Sequence, residues 1–440
     1  MGHWLAPSGS AKMLGTVKRF DARYWTVNFP RPMMASAVTT APDALRIDAL
    51  FYRKNELAGL IWEAEDRWDH ALLAYETARD FRGCRLRFRW RSAGLKPLDA
   101  GHGPTLTIEG RDAAGAPRSW YVRLWNYAAG APDDAIVDLD FAALGGGWAM
   151  EDPVWAGDVD RLFISLVAPG FDGSDAALEM PAGGWAELSG IACDGPGSVL
   201  TVGDTIVPEH RLRIATGYDD LYHLTPARVL HNMLRLGYRE VVNHYVGMSH
   251  YFRLDGEGLV TGGLNGPCAA WNADFLTRAK AMGFGAILSL SYELLDAHCP
   301  AAWKQRAADG EPALTGWAPP SALLSPANAA AMGWLQDVAR AFAALATAAD
   351  QPVQFQVGEP WWWVMPDGRI CLYDEAAVAA LDPVPIGDVR GALDAAQRET
   401  LDAAGAVLAA STASLCEAVR DVAPDARCLL LVYLPTAFDG

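Results

Sequence analysis

The sequence predicts a mixed architecture. An antiparallel, jelly-roll-like β-sandwich covers residues 1–198, and a (β/α)8 TIM-barrel-type domain covers 204–440. Three observations predict it. Apolar and polar residues alternate with period two through the first half; the pattern then changes to apolar strands alternating with helices; and the polar and aromatic residues of the second half gather just after its strands. A chain of 440 residues, at about 150 residues per domain, has room for two or three domains.

In the first half, Arg85–Arg91 reads Arg-Leu-Arg-Phe-Arg-Trp-Arg, with the apolar side chains on one face and four arginines on the other. Segments 105–109, 120–125, 136–139, 161–167 and 185–191 continue the alternation, and clusters such as Asp112–Gly115 and Gly145–Gly147 separate them. The outward arginines read as a solvated strand face or as a binding face. Residues 194–198 (Asp-Gly-Pro-Gly-Ser) read as a linker.

In the second half, Arg211–Thr216 is a first strand. Thr225-Pro226 then opens a helix, with threonine as N-cap and proline in the first turn, and Gly237 closes it. Glu240–Val246 is a second strand, Asn272 is expected to cap a helix ending at Gly283, and Gly285–Ser291 is a third strand. Ser325-Pro326 is expected to open a helix running to about Ala348; Val353–Val357 is a fourth strand, a helix covers roughly 394–421, and Arg427–Leu434 is a fifth strand. Either a barrel or a doubly wound sheet fits this alternation, and the position of the polar residues favours the barrel. Five strands against the eight of a closed barrel lead to the expectation that the domain is cut after strand five.

The charge balance narrows the partners. Thirty-six basic against fifty-three acidic residues give a formal charge of −17. Such a surface repels phosphate backbones and anionic lipid, so neither nucleic acid nor membrane is an expected partner. Seven cysteines, an odd number without a CxxC pair, read as reduced thiols. No segment reads as a signal peptide, and none reaches the length of a membrane span. No strand is followed by GxGxxG or a Walker sequence, so no nucleotide cofactor is expected.

The most informative segment is Val357–Trp363 (Val-Gly-Glu-Pro-Trp-Trp-Trp). A carboxylate at the end of the fourth strand, followed by proline and aromatics, resembles the Asn-Glu-Pro segment of the retaining barrel glycosidases. That resemblance implies a general acid/base role for Glu359, with Gly358 departing from the usual asparagine. Trp361, Trp362 and Trp363 offer flat faces on which sugars stack; the alternative is a capped strand end with tryptophans packed as core. Retention needs a second carboxylate about 5 Å from the first. Glu293, Asp219, Asp220 and Asp374 are the nearby substitutes by strand position, Glu293 foremost, and all four read more readily as loop carboxylates that cap helices or bond the backbone. His244, Tyr245, Tyr292 and Asp219 complete the expected binding set. His244, His250 and His298 lack a metal-ligand spacing, so no metal site is expected. The long loop 296–324 reads as a binding or lid element.

Four segments carry a further resemblance: Ile206–Arg211, Tyr245–Phe252, Leu288–Cys299 and Gln356–Trp363. They are similar to a family of phage and prophage non-contractile tail sheath proteins with a glycosidase-like TIM barrel, and the first half is similar in kind to that family's β-rich leading domain. The resemblance implies a structural virion part, assembled in the host cytoplasm, whose partners are other copies of itself and tail tube proteins. A retaining glycosidase or glycan-binding protein acting on a host-surface polysaccharide is the alternative it leaves open.

Overall fold

The computed structural model describes residues 18–195, 201–202 and 209–432. Most of the expected linker, the start of the segment at 206–211 and the end of the fifth expected strand lie outside the described residues. The chain divides into two compact units. One comprises 1–212 with 221–240 and 266–278; the other comprises 213–220, 241–265 and 279–440.

The first unit is built on two antiparallel sheets. In spatial order, one has Thr26–Asn28, Leu57–Glu63, Val159–Val167, Thr105–Arg111 and Pro117–Arg123. The other has Met34–Ala41, Ala44–Arg53, Ala177–Asp194, Arg85–Ala93, Asp134–Asp140 and Ala128–Ala131. Their inward residues form a single core in which Trp25, Trp62, Trp90 and Trp120 are fully buried. Much of the chain's tryptophan is therefore packing material. The strand Arg85–Ala93 alternates exposed and buried residues throughout. Three of its outward arginines pair with carboxylates on the neighbouring strands: Arg85 with Asp138 at 2.6 Å, Arg89 with Asp134 at 2.6 Å, and Arg91 with Glu187. That face is a solvated ion-pair ladder.

Two helices that lie in the second half of the sequence belong to this unit, in whole or in large part. In Pro226–Arg235 the Thr225 hydroxyl accepts from the Arg228 N–H and donates to the Arg23 carbonyl at 2.6 Å. Arg228 reaches Asp66 at 2.6 Å and Asp69 at 2.7 Å, with side-chain exposures of 1%, 0% and 8%. Gly266–Ala281 starts six residues before Asn272, which corrects the expected cap. Asn272 is buried inside the helix and donates to the Cys268 carbonyl at 3.0 Å, a contact with its own preceding turn.

The second unit carries a parallel sheet of five strands: β1 (Ile214–Gly217), β2 (Val241–Tyr245), β3 (Gly285–Ser291), β4 (Gln354–Gly358) and β5 (Arg427–Leu430), hydrogen-bonded in sequence order. Sequential order is that of a barrel, since a doubly wound sheet reverses direction part-way. Among the described residues the sheet is open. One face carries Val242, His244, Leu288, Leu290, Phe355 and Val357, all at most 1% exposed. The other carries Asn243, Tyr245, Ser289, Ser291 and Gln356. There the Gln356 side-chain oxygen, Oε1, accepts from Asn243 Nδ2 at 3.2 Å and from Ser289 Oγ at 2.9 Å, tying three neighbouring strands by their side chains.

Two helices follow from local chemistry. Ala329–Ala348 begins after Asn328, whose side chain accepts from the N–H groups of Ala330 and Ala331. This replaces the expected start at Ser325-Pro326. Ala395–Val422 opens with a capping box in which Asp394 and Gln397 satisfy each other's backbone N–H.

Candidate functional site

The ends of β2, β3 and β4 bring together Tyr245, Ser291, Glu293 and Glu359. Ser291 is the last residue of β3. Its hydroxyl donates to Glu359 Oε2 at 2.5 Å and accepts from the Glu293 N–H at 3.0 Å, so one side chain fixes both glutamates. Glu359 follows β4 directly and has φ of +53°, a left-handed conformation that costs a non-glycine residue on the order of 1 kcal/mol. Gly358, ahead of it, fits tightly. A Cβ there would stand 3.1 Å from Ser289 Oγ and 3.2 Å from the Leu290 carbonyl oxygen, so any larger residue would have to push these neighbours back.

Glu293 is 2% exposed. Burial, reinforced by the nearby Glu359 charge, pushes its carboxyl up to about 8, so it holds a proton at neutral pH. Burial also raises the Tyr245 phenol, again with Glu359 adding to the effect. The cluster combines a protonated buried carboxyl, a second and less buried carboxyl, and a phenol. Chemically it can donate a proton beside a negative charge.

The other expected site residues lie elsewhere. His244 is fully buried on the opposite face of the sheet. Tyr292 also points away, its hydroxyl 2.9 Å from Ser411 in Ala395–Val422. Asp219, in the turn after β1, binds its own surroundings: it accepts from Met248 N (2.7 Å), Ser249 Oγ (2.8 Å), and His250 N and Nδ1 (both 3.1 Å). Burial pushes its carboxyl up, but these bonds outweigh that and hold it low. Asp374 caps Glu375–Leu381. Trp362 packs with Ile370, Leu372 and Ala404, donating to the Ala404 carbonyl at 2.9 Å. Trp361 and Trp363 are half-buried against Ala307, Leu323 and Met365.

Sequence reasoning missed Ser291 and Gln305. Gln305 is fully buried in the loop 296–324, donates to the Trp361 carbonyl at 3.0 Å and accepts from the Trp363 N–H at 2.7 Å. The loop thereby clamps the tryptophan segment. A serine at the end of an apolar strand, two residues before a glutamate, was the available signal for Ser291. Among the described residues, no three His, Cys, Asp or Glu side chains converge as a metal site.

Comparison with known families adds the decisive observation. A model described as the non-contractile tail sheath N-terminal domain matches residues 17–203, and one described as the non-contractile tail sheath protein TIM barrel matches 208–440. The chain belongs to this family. Tail sheath membership makes it a structural component of a virion tail, built from many copies. Among solved structures, the tail sheath chain is similar to the enzymatically active domain of tailspike protein 4 of bacteriophage CBA120 (10% identity, 42% of this chain and 21% of that one, TM-score 0.21). It is also similar to a GH31 α-xylosidase from Xanthomonas citri (12%, 93% and 45%, TM-score 0.26) and to one from a soil metagenome complexed with xylose (10%, 95% and 65%, TM-score 0.27). It spans less than two thirds of each, and likenesses this distant carry no argument about its chemistry. No described helix of the tail sheath protein is long and apolar enough to cross a membrane.

Proposed function

We propose that this protein is a sheath subunit that packs against copies of itself and against tail tube proteins, assembling in the host cytoplasm before the virion is released. The supporting observation is that two consecutive models of one structural family account for nearly the whole chain. The test is made on purified particles. Antibody to this chain should label the tail along its length in electron micrographs, and the chain should co-sediment with isolated tail tubes. A chain absent from particles and indifferent to tubes would overturn the assignment.

The carboxylate cluster favours a second reading, a glycosidase or glycan-binding site facing a host-surface polysaccharide. In that reading burial gives the proton to Glu293, so Glu293 is the acid and Glu359 the charged partner, a reversal of the roles expected from the sequence. If the wild-type chain cleaves the polysaccharide, Glu293→Gln and Glu359→Gln should each lower the rate at least a hundredfold, as loss of a general acid or its partner does. Full activity in either variant removes that residue from the chemistry. No cleavage and no binding by the wild type leaves the site structural.

A further inference from the structure

No disulfide joins any two of the seven cysteines, and one of them, Cys84, meets a buried arginine that touches no carboxylate among the described residues. Arg19, in the first unit, is 1% exposed. Its contacts among the described residues are the Cys84 sulfur at 2.5 Å from Nη1, the Ala78 carbonyl on Nη2, and the Phe81 ring 4.0 Å from Cζ. None is a carboxylate, and Asp80 feels Arg19 only through space. A guanidinium removed from water without a counterion costs several kcal/mol. The one contact able to become an anion is the Cys84 thiol.

Cys193 stands beside it. The strand register sets Cys193 opposite Leu86, hence diagonal to Cys84 on the same inward face, close enough for each thiol to shift the titration of the other; the Cys193 thiol also lies 3.8 Å from the Asp194 carbonyl oxygen. Cys193 and Arg19 both line a cavity of about 740 Å3 that also meets Arg23, His231 and Asp194, so a small solute has a route to Cys193 and to the guanidinium that contacts Cys84, while Cys84 itself is buried behind them.

We propose that Cys84 and Cys193 form a peroxide-sensitive dithiol, with Cys84 the thiolate paired to Arg19 and Cys193 the thiol that resolves it. The neighbouring Cys193 thiol does most to lower Cys84, burial opposes it, and Arg19 adds to the lowering; the thiol comes down to about 7. Cys193, set beside Cys84 and buried, is pushed up and keeps its proton. The Cys84 thiolate attacks one oxygen of hydrogen peroxide, giving the sulfenic acid and hydroxide. Hydroxide takes the Cys193 proton as water, and the Cys193 sulfur attacks Cys84, releasing the sulfenic oxygen as hydroxide, which takes up a solvent proton. Two thiols are oxidised by two electrons, and one peroxide becomes two waters.

The full chain, treated with hydrogen peroxide, alkylated and mapped by peptide mass spectrometry, tests this. A Cys84–Cys193 disulfide should form, at a rate that rises about tenfold per pH unit below 7 and levels off above it. Cys193→Ala should leave a Cys84 sulfenic acid that dimedone traps. Arg19→Met should slow the reaction about tenfold at pH 7 and little at pH 9. Cys416 and Cys428, a second neighbouring pair in which burial raises Cys416 to about 11, serve as the internal control. Should Arg19→Met fail to fold, the wild-type profile decides: a midpoint near 9, or crosslinking of Cys416 to Cys428 as fast as Cys84 to Cys193, overturns the proposal.

Discussion

Glu293 shows how one side chain ties stability to pH. Its carboxyl rises from 4.5 to about 8 on folding, so the folded chain binds this proton more tightly than the unfolded one. The associated stability is complete below pH about 4.5 and is lost as pH rises through about 8, amounting to on the order of 4 to 5 kcal/mol. Urea denaturation of wild type and Glu293→Gln between pH 5 and 9 should therefore show wild type losing ground to the variant as pH rises; parallel curves would refute this. Arg228 is the counterpart in the first unit. Removing it leaves Asp66 and Asp69 buried without their cation, so Arg228→Ala should lower unfolding free energy by about 3 to 5 kcal/mol. At this scale the sequence was partly legible. Glu359 stood out because Glu-Pro-Trp is an uncommon string at a strand end. The burial of Glu293 was invisible, because it depends on which segments cover it. The three tryptophans looked equivalent, yet only the structure separates Trp362, in the core, from its half-buried neighbours.

Among elements, strands were easier to read than helix starts. Period-two alternation and apolar runs report burial directly, and β3 matches its expected span, β2 and β5 fall within theirs, β4 is shifted by one residue, and β1 starts three residues later than expected and ends one later. Helix starts depend on which of several polar residues wins the cap. Thr225 was legible and the helix near 394 was placed without its cap, Asp394, whereas Asn328 took the place of Ser325 and Asn272 proved internal. The turn after β2 depends on Gly247, with φ of +89° and a would-be Cβ 2.2 Å from Asp219 Cγ. Gly247→Ala must strain the backbone and displace a carboxylate that accepts four hydrogen bonds. It should cost at least about 2 kcal/mol in chemical denaturation, against a small effect for alanine at Gly256, where a Cβ meets open space.

For the whole molecule, the formal charge of −17 sets how copies meet. Repulsion between like-charged subunits falls with ionic strength, since the screening length shrinks from about 30 Å at 0.01 M salt to about 3 Å at 1 M. Sedimentation velocity should show association increasing with salt; dissociation by salt would mean that ion pairs hold the subunits together. The alternation of strand and helix revealed the second half's α/β character, but not that Pro226–Arg235 and most of Gly266–Ala281 are counted with the β-sandwich. That allegiance rests on Arg228, Thr225 and a hydrogen bond from Ser36 to the Pro267 carbonyl. It also bears on how such genes recombine. A crossover at the obvious boundary near residue 203 would join a foreign sandwich to helices lacking Asp66, Asp69 and Ser36 as partners. Exchange of leading domains between related phages should therefore carry the segment to residue 278 along with them, or be found only where those partner residues match.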